Sequence, residues 1–95
     1  GAGKLTMGQA TALKALRSGR GFPDLVIYEP RGDYYGLFIE LKQDGTNLFK
    51  KNGSPTTPHI AEQFDMIYRL NNRGYRAAFA VGFDEAKIVI DNYLK

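Results

Sequence analysis

The sequence predicts an α/β domain: a small mixed β-sheet built on an antiparallel hairpin and flanked by helices. Three observations carry this reading. Gly21 to Lys42 holds two runs of β-forming residues on either side of the turn residues Pro30, Arg31, Gly32 and Asp33. Ile60, Phe64, Ile67 and Leu70 recur at helical spacing behind a Thr57-Pro58 start, a Thr cap followed by Pro in the first turn. Gly74 then stops that helix, and a further β-forming run begins at Tyr75. With 95 residues the chain has the size of one small domain with a modest core, and we read 1–95 as a single domain without internal repeats.

Taken in order, Gly1 to Gly3 carries no structural signal, and Leu5 to Arg17 reads as a helix offering Ala10, Leu13 and Leu16 to the core before Ser18-Gly19 ends it. Lys4, Lys14, Arg17 and Arg20 stand in this stretch with no acid among them, either as a phosphate-facing surface or as an ordinary solvated helix face. Leu25 to Tyr28 is an unbroken apolar run, the pattern of a strand buried on both faces. Tyr34 to Leu41 is the second strand, weak only at Gly36. Gln43 to Thr57 is a long loop rich in Gly, Asn, Lys, Ser, Thr and Pro. In it Lys50-Lys51 beside Phe49 suits contact with a nucleic-acid backbone and base, or else the loop is simply solvated.

The helix opened by Pro58 runs to about Arg73. On pattern alone Gln63 is a surface glutamine beside the apolar stripe, and His59, the sole histidine, is a loop–helix residue or a phosphate contact. Tyr75 to Val81 forms the third strand, whose alanines allow a helix to pack closely. Gly82-Phe83-Asp84 turns into a last helix to about Leu94, with Ala86, Ile88, Val89, Ile90 and Leu94 as its apolar surface and Asp84 or Glu85 favouring its N-terminus.

Ionisable residues stand where a buried strand would not choose them: Asp24, Glu40 and Lys42. If the hairpin is centred on Gly32, cross-strand partners have numbers summing to 64, and Asp24 faces Glu40. Directly opposed Cα atoms of an antiparallel pair lie ~4.5–5.5 Å apart. Glu40 and Lys42, two apart, share that face, and Leu41 points the other way, into the core. Two carboxylates this close cannot both ionise cheaply without a cation between them, and oxygen ligands suit Mg²⁺ or Mn²⁺. A lysine beside such an ion can hold a phosphate or an attacking water. The bland alternative is a turn residue at Asp24 and a half-solvated pair at Glu40 and Lys42.

Composition narrows the classes. There is no cysteine, which excludes a disulfide framework and a thiolate metal site. No apolar run approaches the ~18 residues of a membrane span and no signal-peptide pattern opens the chain, so the expectation is a cytoplasmic protein with no membrane partner. Lys and Arg number 13 against 10 Asp and Glu, and a metal on two of the acids would leave the remaining surface more basic, which suits a polyanion.

Gly21-Phe22-Pro23-Asp24 followed by Ile39-Glu40-Leu41-Lys42 resembles the PD-(D/E)xK nuclease signature. The longer series of GFPDL, PRGDYYGLFIELK, a helix with Gln63 and the Gly74-Tyr75 strand start resembles its VRR-NUC branch, the virus-type replication-repair nucleases, from about Lys4 onward. PD…ExK fixes only three or four residues, whereas the ordered run of flanking elements is far more specific.

The resemblance implies a restriction-endonuclease-like fold and metal-dependent hydrolysis of DNA. It implies Mg²⁺ or Mn²⁺ on Asp24, Glu40 and the Leu41 carbonyl, Lys42 stabilising the transition state, and Gln63 orienting the water or a metal-bound group. It also implies homodimers acting on branched or junction DNA. Family members carry a further active-site glutamate on an earlier helix; this chain has no acidic residue before Asp24, so we read it as N-terminally shortened. The alternative function is a catalytically incomplete module that binds DNA or protein.

Overall fold

The computed structural model describes residues 22–95. The expected Leu5–Arg17 helix and the basic residues Lys14, Arg17 and Arg20 lie outside the described residues. Within 22–95 the order is β1 (Leu25–Ile27), β2 (Leu37–Lys42), α1 (Pro58–Asn71), β3 (Arg76–Val81) and α2 (Phe83–Leu94). The strands form one sheet in the order β1-β2-β3, with β2 antiparallel to β1 and parallel to β3, so the mixed sheet is as expected.

Alternation along β2 sends Phe38 and Glu40 to one face and Leu37 and Ile39 to the other. On the first face Phe38 packs with Met66, Ile67 and Leu70 of α1 and with Tyr75 and Ala77. On the second, Leu37 and Ile39 pack with Ala80 and with Ala86 and Tyr93 of α2. β2 is thus the strand buried on both sides. β1, expected to be buried, is a three-residue edge among the described strands; its residues are half-buried and Tyr28 is exposed. Among the described residues β1 is paired along one side only, which leaves its other edge uncovered by them.

The expected hairpin register holds: Leu25 pairs with Ile39, Val26 with Phe38 and Ile27 with Leu37. β2 itself starts at Leu37 rather than Tyr34. At the tip Arg31 and Tyr34 exchange backbone hydrogen bonds of 3.1 and 2.9 Å around Gly32-Asp33, one residue out of step with the ladder below.

Thr57 caps α1 through its hydroxyl, which accepts from the Ile60 N–H at 3.1 Å. The helix ends at Asn71, two residues before the expected boundary. Gly74 then turns the chain at a φ of 93°, and a Cβ there would come within 2.7 Å of the Tyr35 ring. Tyr35 itself donates its backbone N–H to the Gly74 carbonyl at 2.9 Å. On α2, Ile88 is exposed rather than core, and the buried contact falls to Tyr93, whose hydroxyl donates to the Glu29 carbonyl at 2.6 Å. Helical period decides this: Ala86, Val89, Ile90 and Tyr93 share the face turned to the sheet, and Ile88 does not.

Asn71 ties α1 to β3. Its amide donates to the carbonyls of Ile67 and Ala77, each at 3.0 Å, and its oxygen accepts from the Ala77 N–H at 2.9 Å. The side chain thus satisfies the outer edge of β3, beside which no described strand lies. Replacing Asn71 by Ala should cost about 1–2 kcal/mol, since it strands the Ala77 N–H while the Ala77 carbonyl keeps the Arg76 Nη1 donor at 3.0 Å, and urea denaturation measures the loss. A change below ~0.5 kcal/mol would show that solvent satisfies that edge equally well.

Candidate active site

The ladder register carries the first site residue into place. Asp24 precedes β1 by one residue, and its carboxylate Oδ2 accepts the backbone N–H of Leu41 at 3.2 Å. This fastens the start of β1 to the end of β2 and sets Asp24 beside Glu40. Glu40 lies on the α1 face of the central strand and is only 4 % exposed. Gln63 reaches it from α1: it is 3 % exposed, and its Nε2 donates to Glu40 Oε1. Lys42, two residues along β2, brings its Nζ to 3.8 Å from the same oxygen, with a side chain 16 % exposed. The four side chains expected from the sequence therefore converge on one point.

Glu40 is the strained group. Burial first, then the charge of Asp24, push its carboxyl up to about 7, and Lys42 only partly opposes them. Two oxygens stay buried without a hydrogen-bond donor, Glu40 Oε2 and Gln63 Oε1. Such acceptors are costly to bury and fit a hard cation, which takes oxygen ligands from carboxylates, amides and carbonyls. The donor set fits Mg²⁺ or Mn²⁺ on that ground. Among the described residues no group of three or more His, Cys, Asp or Glu forms a metal site by itself. The carboxylate pair would therefore need neutral oxygens to complete a shell.

Two expectations change here. Gln63 is not a surface glutamine, as its pattern alone suggests, but fully buried. It falls three residues after Ile60 and four before Ile67, inside the apolar stripe, and that spacing was the available signal. Leu41 does not enter the core; it is 41 % exposed. β1 pairs no further than Ile39, and α2 starts beyond the end of β3, so neither covers this end of β2. Leu41 instead lines an open apolar groove of about 730 Å³ with Leu25, Phe83 and Ile90. Lys50 and Lys51 are exposed in the 43–57 loop, outside the carboxylate cluster, and His59 is exposed at the start of α1.

The shift of Glu40 has a consequence for stability. The unfolded chain releases this proton near ~4.3, whereas the folded chain holds it to about 7. The folded state binds more protons in that window, so stability is fully present below it and lost as pH rises through it. With divalent cations chelated, Glu40→Gln should match the native chain near the bottom of the window. Above pH 7 it should be more stable by roughly 3–4 kcal/mol in urea denaturation. Equal stabilities at both ends would mean that Glu40 is not held in this strained state.

No protein-family model matches the sequence. No curated protein matches it either. Among solved structures, one described as a VRR_NUC domain protein superposes with a TM-score of 0.65 at 38 % sequence identity, covering 90 % of this chain and 62 % of that one. The chain thus spans less than two thirds of that protein's length. Together with the α/β architecture, the hairpin register and the convergence of Asp24, Glu40, Lys42 and Gln63, this likeness shows that the chain carries a VRR-NUC domain, of the nuclease-domain family.

Proposed function

We propose that the chain is a metal-dependent endonuclease that hydrolyses DNA phosphodiester bonds, with branched or junction DNA as its preferred substrate. The observation that carries the reading is the buried Glu40 carboxylate, met by Asp24, Lys42 and Gln63, with two acceptor oxygens left without donors. Asp24, Glu40 and the Leu41 carbonyl would hold Mg²⁺ or Mn²⁺. The ion supplies Lewis acidity toward the scissile phosphate and a lowered pKa for the attacking water. Lys42 contributes a fixed positive charge where the phosphoryl oxygens gain charge in the transition state. Gln63 holds the Glu40 carboxylate in its orientation, so that the site needs little reorganisation during the reaction. Assembly as a homodimer, which the family resemblance implies, belongs to the same reading.

A second reading is a catalytically incomplete module that binds DNA or protein on this fold. The observation that favours it is the short acidic set: among the described residues only two carboxylates meet here. Chelation separates the two readings, because a nuclease loses cleavage and a binding module keeps its complex.

With Mg²⁺ or Mn²⁺ present, Lys42→Ala should lower single-turnover cleavage by about 10²–10³. Metal binding, followed by calorimetry, should change little. Undiminished cleavage would remove Lys42 from the mechanism. Replacing Lys50 and Lys51 together by Ala should flatten the slope of log affinity against log salt by ~1–2, at ~0.9 per lost phosphate contact on duplex DNA. An unchanged slope would place the phosphate-binding surface elsewhere.

A further inference from the structure

The segment from Gln43 to Thr57 is an ordered arm. The Lys50 N–H donates to the Ser54 carbonyl at 2.7 Å, the Gly53 N–H returns to the Lys50 carbonyl at 2.9 Å, and the Thr56 N–H donates to Leu48 at 3.0 Å. Phe49 and Pro55 bridge across it, and the Thr56 hydroxyl donates to the Asn47 carbonyl at 2.7 Å. The arm is therefore a small hairpin-like loop with Lys50 and Lys51 at its tip.

Its root is a ladder of three phenylalanines. Phe79 stacks on Phe64 with ring centroids 4.4 Å apart, and Phe64 on Phe49 at 4.8 Å. The first rung starts at the carboxylate site: Phe79 is the β3 partner of Glu40, and Phe64 follows Gln63 in α1. The last rung does not end in the core. Phe49 is tilted only 32° from Phe64 and is 52 % exposed, with the exposed cations Lys50 and Lys51 next in the chain. Holding the loop down needs one face of this ring. About half of Phe49 is exposed beside two exposed cations, and two ring contacts of 4.8 and 4.4 Å link it to Phe79, the strand partner of Glu40.

We propose that Phe49 is a stacking platform for an unstacked nucleobase near the phosphodiester held at Asp24 and Glu40, with Lys50 and Lys51 on the adjoining phosphates. A ring with a free π-face beside cations is how single-stranded nucleic acid is gripped without reading its sequence. The inference rests on the nuclease reading and deepens it. The platform selects DNA in which a base close to the cleaved bond has left its stack, as at a branch, flap or gap, because a continuous duplex offers Phe49 no base face.

The test uses the full chain, Ca²⁺ in place of Mg²⁺, and two DNA probes of one duplex sequence: one continuous, one with an unpaired 2-aminopurine at a branch. The native protein should bind the branched probe about tenfold more tightly than the continuous one and quench the 2-aminopurine. Phe49→Leu keeps the apolar contact with Phe64 but removes the aromatic face. It should bring the two affinities within about twofold and abolish the added quench. Phe49→Tyr should retain both, and the Lys50, Lys51 double alanine variant should weaken both probes alike while keeping the quench. Preference or quench surviving in Phe49→Leu overturns the proposal, as does a native protein that binds both probes equally or neither. Metal-dependent cleavage by native protein, lost in Lys42→Ala, leaves the nuclease reading standing if the platform fails; its absence removes that reading and the platform with it.

Discussion

A carboxylate enclosed in the middle of a sheet is costly unless its charge is shared, and Glu40 is that carboxylate. Much of what surrounds it serves this one constraint. The hairpin register brings Asp24 to one side, where the Leu41 N–H holds it. α1 lowers Gln63 from above, and β2 carries Lys42 two residues on. Lys42 only partly offsets burial and Asp24 adds to its cost, so the carboxyl still prefers its neutral form up to about 7. A fold selected only for stability would place an apolar side chain here. A buried, shifted carboxyl of this kind marks a candidate functional site.

The scaffold explains how so few residues hold that arrangement. β2 is the one described strand flanked on both sides by others and covered on both faces by helices. Glu40, on the α1 face of this strand, is enclosed as a result. The two neighbouring strands differ in kind. β1 reaches β2 through a short hairpin, and β3 reaches it through α1, so the same helix that makes the parallel crossover also delivers Gln63 and Phe64. The carboxylate site and the aromatic ladder are thus two products of one βαβ unit.

The end of β2 is also where covering elements run out. Leu41 is exposed for that reason, and the neighbouring groove stays open. That groove lies on the Leu41 face of the strand, opposite the face on which Glu40 is buried. The 43–57 arm leaves from this open end and returns to α1, anchored through Phe64.

Sequence by itself determined the described elements and the pairing of the hairpin. Period two in the hairpin, period 3.6 in α1 and the turn residues between them are local signals, so the strands, helices and the register joining Asp24 to Glu40 could be read before any fold was known. It also supplied Glu40 and Lys42 on one face, since alternation alone requires that. Burial was decided only by the tertiary structure. Which described strand lies in the centre depends on a pairing across the α1 crossover, and this made β1 an edge among the described strands, buried Gln63 and left Leu41 exposed. The shifted carboxyl of Glu40 belongs to the same class: local sequence names the charges, but desolvation is a property of everything packed around them.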